Sequence, residues 1–401
     1  MIRRDYLIVG AGAGGISACE AIREHDNKGT IMLVGNEIAT PYMRPELFRT
    51  LLRKGANLAA DKLPVHEPAW FEKQHIDLRL DTLLTQFNIE RRLAVLANGQ
   101  AVEFRKALLA TGCRARRLQV AGANLGNVFY LRSLRDVQAL REIVDCENEI
   151  VIIGGGFIAL ETTSLLAQLP KIQITLIHRA PQLWLRRLGP EASEWLGAYL
   201  AGRGIKLLLA ETVNGFEGRT VLKNIQTKSG QRFPAGLAVV AVGAEPNLGL
   251  VANTPLAYPH GTPVNEYLET DEKGIYAAGD IAAYPDKILG GVRRVEHWAT
   301  AVAQGHVAGA NMTGRKRIKF ECLPQAATTI FDLRFDFVGD FSKPPTRVEL
   351  EGDLTKRKFI ARLYQHSTLM GVTLCNQPAE KVETAKTQLR EWPRGKKAET
   401  I

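Results

Sequence analysis

Near the start of the chain the apolar run Leu7-Ile8-Val9 ends in a cluster of glycines, and the pattern returns at Ile150-Val151-Ile152-Ile153. A short apolar run bounded by glycine reads as a buried strand. The stretches behind the glycines, residues 16–24 and 159–169, read as helices. Each leads to a second apolar run, Thr30-Ile31-Met32-Leu33-Val34 and Gln173-Ile174-Thr175-Leu176-Ile177. The chain therefore carries a strand–helix–strand pattern twice, which predicts parallel sheets with crossover helices.

Shorter strands follow each unit. Ala94-Val95-Leu96 precedes the turn Asn98-Gly99, Lys106-Ala107-Leu108-Leu109-Ala110 ends at Thr111-Gly112, and Leu237-Ala238-Val239-Val240-Ala241 ends at Val242-Gly243. Beyond residue 320 the style changes. Strands are predicted at Phe335-Asp336-Phe337-Val338, at 358–364 and at 369–374, then a helix over 379–389, which reads as a small α+β domain. Residues 393–401 are polar and basic and are expected to be disordered.

With 401 residues the chain is too long for one core. Hydrophobic residues at 45% and charged residues at 23% exclude wholesale disorder. No apolar run approaches the length of a membrane span. A strand pattern begins almost at Met1, so no leader is expected and the default compartment is cytoplasmic. The five cysteines are scattered singly, which predicts neither a disulfide framework nor a metal site. The net charge of +10 is concentrated in Arg114, Arg116 and Arg117, in Arg179, Arg186 and Arg187, and in Arg315, Lys316, Arg317 and Lys319. Such clusters suit phosphate, an acidic protein or simple solvation. No nucleic-acid motif accompanies them, so nucleic-acid binding is not expected.

Gly10-x-Gly12-x-x-Gly15 behind a strand is a dinucleotide fingerprint. Its glycines allow a tight turn, close approach of a pyrophosphate and close helix packing, with the phosphate at the helix N-terminus. Ala13 and Gly14 complete the loop, and Glu37 stands where an acid accepts ribose hydroxyls. Gly154-x-Gly156-x-x-Ala159, with Gly155 inside it, is a second copy. Where an acid would favour NADH, this chain has His178-Arg179, followed by Arg186 and Arg187. Cations there suit a 2′-phosphate, so NADPH is expected over NADH; the alternative is a basic surface loop without preference.

Two such modules suggest hydride transfer from a nicotinamide to a flavin. The rest of the flavin half is Ile275-Tyr276-Ala277-Ala278-Gly279-Asp280. Gly279 allows close approach, and Asp280 can accept hydrogen bonds from the ribityl chain. Its pairing with Ala110-Thr111-Gly112 and Val242-Gly243 strengthens that reading.

Two further stretches are specific: Pro41-Tyr42-Met43-Arg44-Pro45, and Arg294-Val295-Glu296-His297 running on to Gly314. With these the chain resembles, over essentially its whole length, the flavoprotein family of NAD(P)H-dependent ferredoxin reductases and apoptosis-inducing factor. The resemblance implies an α/β fold with two Rossmann-like dinucleotide-binding domains, for FAD and NAD(P), plus a small C-terminal α+β domain. The expected boundaries are 1–117 and 246–320 for the FAD domain, 118–245 for the NAD(P) domain and 321–401 for the last. The resemblance implies that FAD contacts Gly10 to Gly15, Asn36, Glu37, Arg44, Leu84, Arg132, Asp280, His297 and Trp298. The nicotinamide cofactor is implied at Gly155, Gly156, Phe157, Ile158, His178, Arg187, Gly243 and Glu296.

It also implies that Phe157 lies over the flavin face where nicotinamide docks, and that Glu161 points at the flavin edge. In such enzymes a lysine pairs with that glutamate. Here the matching position is Arg49, and arginine is not an equivalent of lysine at a close contact. An Arg49–Glu161 ion pair is expected, making Arg49, Glu161 and Phe157 the candidate catalytic residues. An aromatic that relatives place beside the flavin is replaced in the stretch Ala326, Ala327, Thr328 and Thr329. Disulfide-reducing cousins need a cysteine pair near the first helix, and Cys19 has no neighbouring partner in sequence. The expected activity is therefore electron transfer from NAD(P)H through FAD to a small acceptor, an acidic ferredoxin-like protein suiting the basic surface. The alternatives are a slow redox sensor like apoptosis-inducing factor and a reductase of quinone or monodehydroascorbate. The sequence leaves a homodimer open.

Overall fold

The strand Ile2–Val9 starts half-exposed and ends fully buried, with Leu7 and Ile8 sealed from solvent. It is parallel to Ile31–Val34 on one side and to Ala101–Leu109 on the other. Strands covered on both faces read as continuous apolar runs, which is why this pattern was visible in the sequence. These coordinates belong to a computed structural model that describes residues 1–51 and 63–392; the basic tail from residue 393 lies outside the described residues. The chain divides into two compact units. One comprises Met1–Pro45, Ala60–Arg114 and Glu245–Pro324, the other Glu46–Ala59, Ala115–Ala244 and Gln325–Ile401.

In the first unit the sheet order is Ile76–Arg79, Ile31–Val34, Ile2–Val9, Ala101–Leu109, Leu93–Leu96, Leu84–Asn88. Ile275–Ala277 adds in parallel to Ala101–Leu109. The helix Ala13–His25 follows the first glycine loop. Against it lies Trp298–Thr313, a helix that begins directly after His297. The two meet almost backbone to backbone. A Cβ at Gly305 would lie 2.1 Å from the carbonyl oxygen of Gly14, and one at Gly309 2.4 Å from that of Ala18.

The second unit holds a wholly parallel sheet in the order Lys206–Leu209, Gln173–His178, Glu149–Ile153, Leu237–Val240, Val128–Phe129. Its glycine-loop helix is Phe157–Leu166, which starts before the expected residue 159 and stops before 169. Pro170 follows soon after, and a proline restricts the chain ahead of it. The same unit contains the antiparallel C-terminal sheet, ordered Gln325–Ile330, Leu333–Gly339, Thr368–Cys375, Lys358–Gln365, Arg347–Asp353, and the helix Ala379–Glu391. The fold is thus mixed α/β with Rossmann-like parallel sheets and a C-terminal antiparallel sheet. Among the described residues no helix is long and apolar enough to cross a membrane.

Replacing Gly305 by alanine puts a methyl group against the Gly14 carbonyl and forces the two helices apart. Overpacking of this kind costs roughly 1–3 kcal/mol. Thermal unfolding followed by circular dichroism should show a lowered midpoint for Gly305→Ala, and an unchanged midpoint would contradict the close approach.

Candidate functional site

The first glycine loop is held from behind. Gly10 has φ +116°, and a Cβ there would lie 2.1 Å from the carbonyl oxygen of Ala110. At Gly12, by contrast, an added Cβ would meet nothing within 4 Å. Gly12 is the N-cap of Ala13–His25, with no capping side chain and no acid in the first turn. The helix therefore offers unsatisfied N–H groups and a positive dipole end to open space, as an anion requires. Ala13, Gly14 and Gly15 are buried in its first turn.

Around the loop the sequence-predicted residues gather within the first unit. Glu37 accepts from Tyr42 Oη at 2.6 Å and from Arg44 Nη2 at 2.5 Å, and the Arg44 guanidinium stands 5.0 Å from the Tyr42 ring centroid. Asn36 beside it is exposed. Leu84 begins the strand Leu84–Asn88. Thr111 and Asn247 exchange hydrogen bonds at 2.8 and 2.9 Å, and Asn247 N donates to Gly112 O at 2.9 Å.

Asp280 is buried in the turn after Ile275–Ala277, and its Oδ2 accepts from Cys113 Sγ at 2.9 Å. Gly279 N donates to Gln304 Oε1 at 2.7 Å. Gln304 Nε2, Thr300 Oγ1 and His297 Nδ1 are buried with no hydrogen-bond partner. Burial also keeps His297 below its ordinary imidazole value, against the pull of Asp280. Trp298 is half-buried and Glu296 is paired with Arg294 at 2.7 Å. Buried orphan groups beside an open, positive helix end fit a polar, phosphate-containing ligand such as FAD. Cys113, Thr300 and Gln304 were not foreseen. Thr300 and Gln304 sit in an apolar-looking stretch and Cys113 between a glycine turn and the Arg114 cluster, and only the fold brings Cys113 to Asp280 and Gln304 to Gly279.

The second loop repeats the arrangement in the second unit. Gly154 has φ +130° and its Cβ would lie 2.2 Å from the Ala241 carbonyl oxygen, while a Cβ at Gly156 would meet nothing within 4 Å. Gly156 caps Phe157–Leu166, again without a capping side chain or a first-turn acid. Gly243, at φ +116°, also borders open space, and Ile158 is half-buried in the first turn. These residues fit a second dinucleotide.

The cations expected at a 2′-phosphate do not act together. His178 packs its ring against Gly155, where an added Cβ would come within 2.7 Å. Burial, then the neighbouring Arg179, lowers its pKa, so it is neutral at pH 7. The Arg187 guanidinium lies 5.0 Å from the Phe157 ring centroid and 5.9 Å from those of Phe337 and Phe341, with its Nε buried and unpartnered. It is held by aromatic faces. Of the four cations Arg179 and Arg186 are the exposed ones, and Arg186 donates to the Ser342 carbonyl. The four cations thus do not converge on one phosphate, and the expected NADPH preference is not supported.

The expected Arg49–Glu161 ion pair is also not the arrangement found. Arg49 pairs with Glu46 at 3.5 Å, both side chains nearly half exposed, whereas Glu161 accepts its hydrogen bond from the hydroxyl of Thr328. Arg49 still acts on Glu161 through its field. A longer, flatter guanidinium with a carboxylate three residues away finds its partner locally. Arg132 lies in the second unit, where its backbone N donates to Asp136 at the start of Leu134–Val144.

All five cysteines are free, and Cys19 is fully buried, its thiol pushed up by burial. Comparison with known proteins agrees with this geometry. A rubredoxin-NAD(+) reductase of Pseudomonas putida is 31% identical over 309 residues, 77% of this chain and 80% of the relative. Rhodocoxin reductase of Rhodococcus erythropolis is 29% identical over 97% of this chain and 90% of its own. The solved putidaredoxin reductase–putidaredoxin complex superposes with a TM-score of 0.90 at 26% identity, covering 98% of this chain and 94% of that one. Residues 4–305, which span both glycine loops and Asp280, match the model of the pyridine nucleotide-disulphide oxidoreductases. The chain belongs to that family and is an oxidoreductase built for FAD and a nicotinamide cofactor.

Proposed function

We propose that this protein oxidises NADH through FAD and delivers the electrons to a small iron–sulfur or rubredoxin-type protein. The observation that carries the reading is the twin glycine loop: two capless helix starts, each facing open space at Gly12 and Gly156. The names of the relatives, which are NAD(+) reductases of rubredoxin or ferredoxin systems, support it. The burial of His178 and the aromatic hold on Arg187 favour NADH, because a 2′-phosphate finds two exposed cations, Arg179 and Arg186, rather than four. Five free cysteines suit a reducing, cytosolic setting.

In this reading the backbone N–H groups behind Gly12 take the FAD pyrophosphate, Asp280 accepts ribityl hydroxyls, and Glu37, braced by Tyr42 and Arg44, receives the ribose. Gln304 and Thr300 turn their free donors to the same ligand. FAD held there would supply the coupling of hydride transfer to one-electron transfer, while the chain's own residues bind and orient the two cofactors. The N–H groups behind Gly156 take the nicotinamide cofactor's pyrophosphate, and Phe157 and Glu161 shape the reacting end. The exposed cations Arg315, Lys316 and Arg317 give an acidic acceptor a surface of opposite charge.

Three measurements test this. Purified wild-type protein should be yellow, and Gly12→Val, which fills the open space, should be nearly colourless; equal flavin content would show the loop misassigned. Stopped-flow reduction should be tighter with NADH than with NADPH, and Arg179→Ala should weaken NADPH further while leaving NADH within about twofold, since a charged hydrogen bond is worth roughly 1.5–3 kcal/mol. Tighter binding of NADPH would overturn the cofactor assignment. Reduction of an acidic ferredoxin should slow severalfold between about 0.01 and 0.2 M salt, as the Debye length shrinks from roughly 30 to below 10 Å. A salt-independent rate would remove the basic surface from acceptor binding.

A further inference from the structure

One carboxylate of the second unit is held by a hydroxyl and lies in the field of an ion pair. Glu161 is half-buried on Phe157–Leu166, a helix with no other charged residue. Thr328, 2% exposed on the strand Gln325–Ile330, donates its hydroxyl to Glu161 Oε1. That strand brings no charge of its own. Arg49 and Glu46 act on Glu161 from Leu47–Leu51 and the residue before it, but they are paired with each other, so their fields oppose. The strands Glu149–Ile153 and Gln173–His178, also packed against the helix, carry charge only at their ends, at Glu149 and His178.

We propose that Thr328 is the positioning residue for Glu161: its hydroxyl holds the carboxylate and sets its ionisation, a task the family resemblance gives to a lysine. A neutral donor orients a carboxylate without adding positive charge. Burial then dominates and raises the Glu161 pKa, with Thr328 and Arg49 pulling the other way and Glu46 adding to the rise. Among the groups that favour the ionised form, the Thr328 hydroxyl is the one in direct contact. The inference rests on the proposed function only in taking Glu161 to lie at the flavin edge.

The signs follow directly. Thr328→Val removes a stabiliser of the ionised form, so protonation persists to higher pH. Glu46→Gln removes a like charge and shifts the midpoint to lower pH. Thr328→Ser keeps the hydroxyl and restores wild-type behaviour. The test is a pH titration of the purified flavoprotein carrying 13C-carboxyl glutamate, with the Glu161 resonance assigned by its loss in Glu161→Gln. In Thr328→Val the ratio of ionised to protonated Glu161 at a fixed pH should fall on the order of tenfold. The acid limb of flavin reduction by NADH should move with it. A titration midpoint in Thr328→Val equal to wild type, or a serine variant that stays with the valine, overturns the inference. If NADH fails to bleach the flavin while the titration shifts as stated, the proposed function fails and the Thr328–Glu161 assignment stands.

Discussion

The carbonyl oxygen of a strand-end alanine, pressed against a glycine with no side chain, sets the geometry of this molecule. Ala110 occupies the place a Cβ of Gly10 would need, and Ala241 does the same to Gly154. At that distance no other residue fits, and the positive φ of both glycines follows. The turn that results throws each following helix outward with its N–H groups uncapped. The open space beside Gly12 and beside Gly156 lies at those two helix starts.

The rest of the first site is bracing. Glu37 is fixed by Tyr42 and Arg44, and Asp280 is gripped by Cys113. Gln304 reaches the Gly279 amide from a helix that runs almost in contact with the first. Such preorganisation keeps ordering costs low when a large ligand arrives. The second unit spends its side chains differently, stacking Arg187, Trp184, Phe337 and Phe341 around Phe157.

What was legible in the sequence was whatever depends on neighbours in the chain. The parallel strands announced themselves as apolar runs, and the loops as glycine spacing. The helix Trp298–Thr313 was not predicted, because Gly305 and Gly309 lower its propensity and serve packing instead. The strand Arg347–Asp353 escaped notice because it is an edge strand, paired only with Lys358–Gln365 and exposed at alternate positions. Gln325–Ile330 drew attention for an aromatic it lacks, whereas its hydroxyl at Thr328 is what reaches Glu161. Arg49 was matched with Glu161 by analogy, yet Glu46 is nearer along the helix. Long-range pairing of side chains is a property of the fold and leaves no period in the chain.

The contact between Ala13–His25 and Trp298–Thr313 has a bearing on how the protein is made. Ribosomes release the N-terminal part first. The first helix and its sheet must then wait for Ile275–Ala277 and for the helix that ends at Thr313 before their core closes. The parallel sheet of the second unit has all its strands within the continuous stretch from Val128 to Val240, although its helices pack on the later C-terminal sheet. Nested inside the first unit's sequence, it can assemble while its host is unfinished. The strands of the middle of the chain can thus pair before those of the first unit are all synthesised.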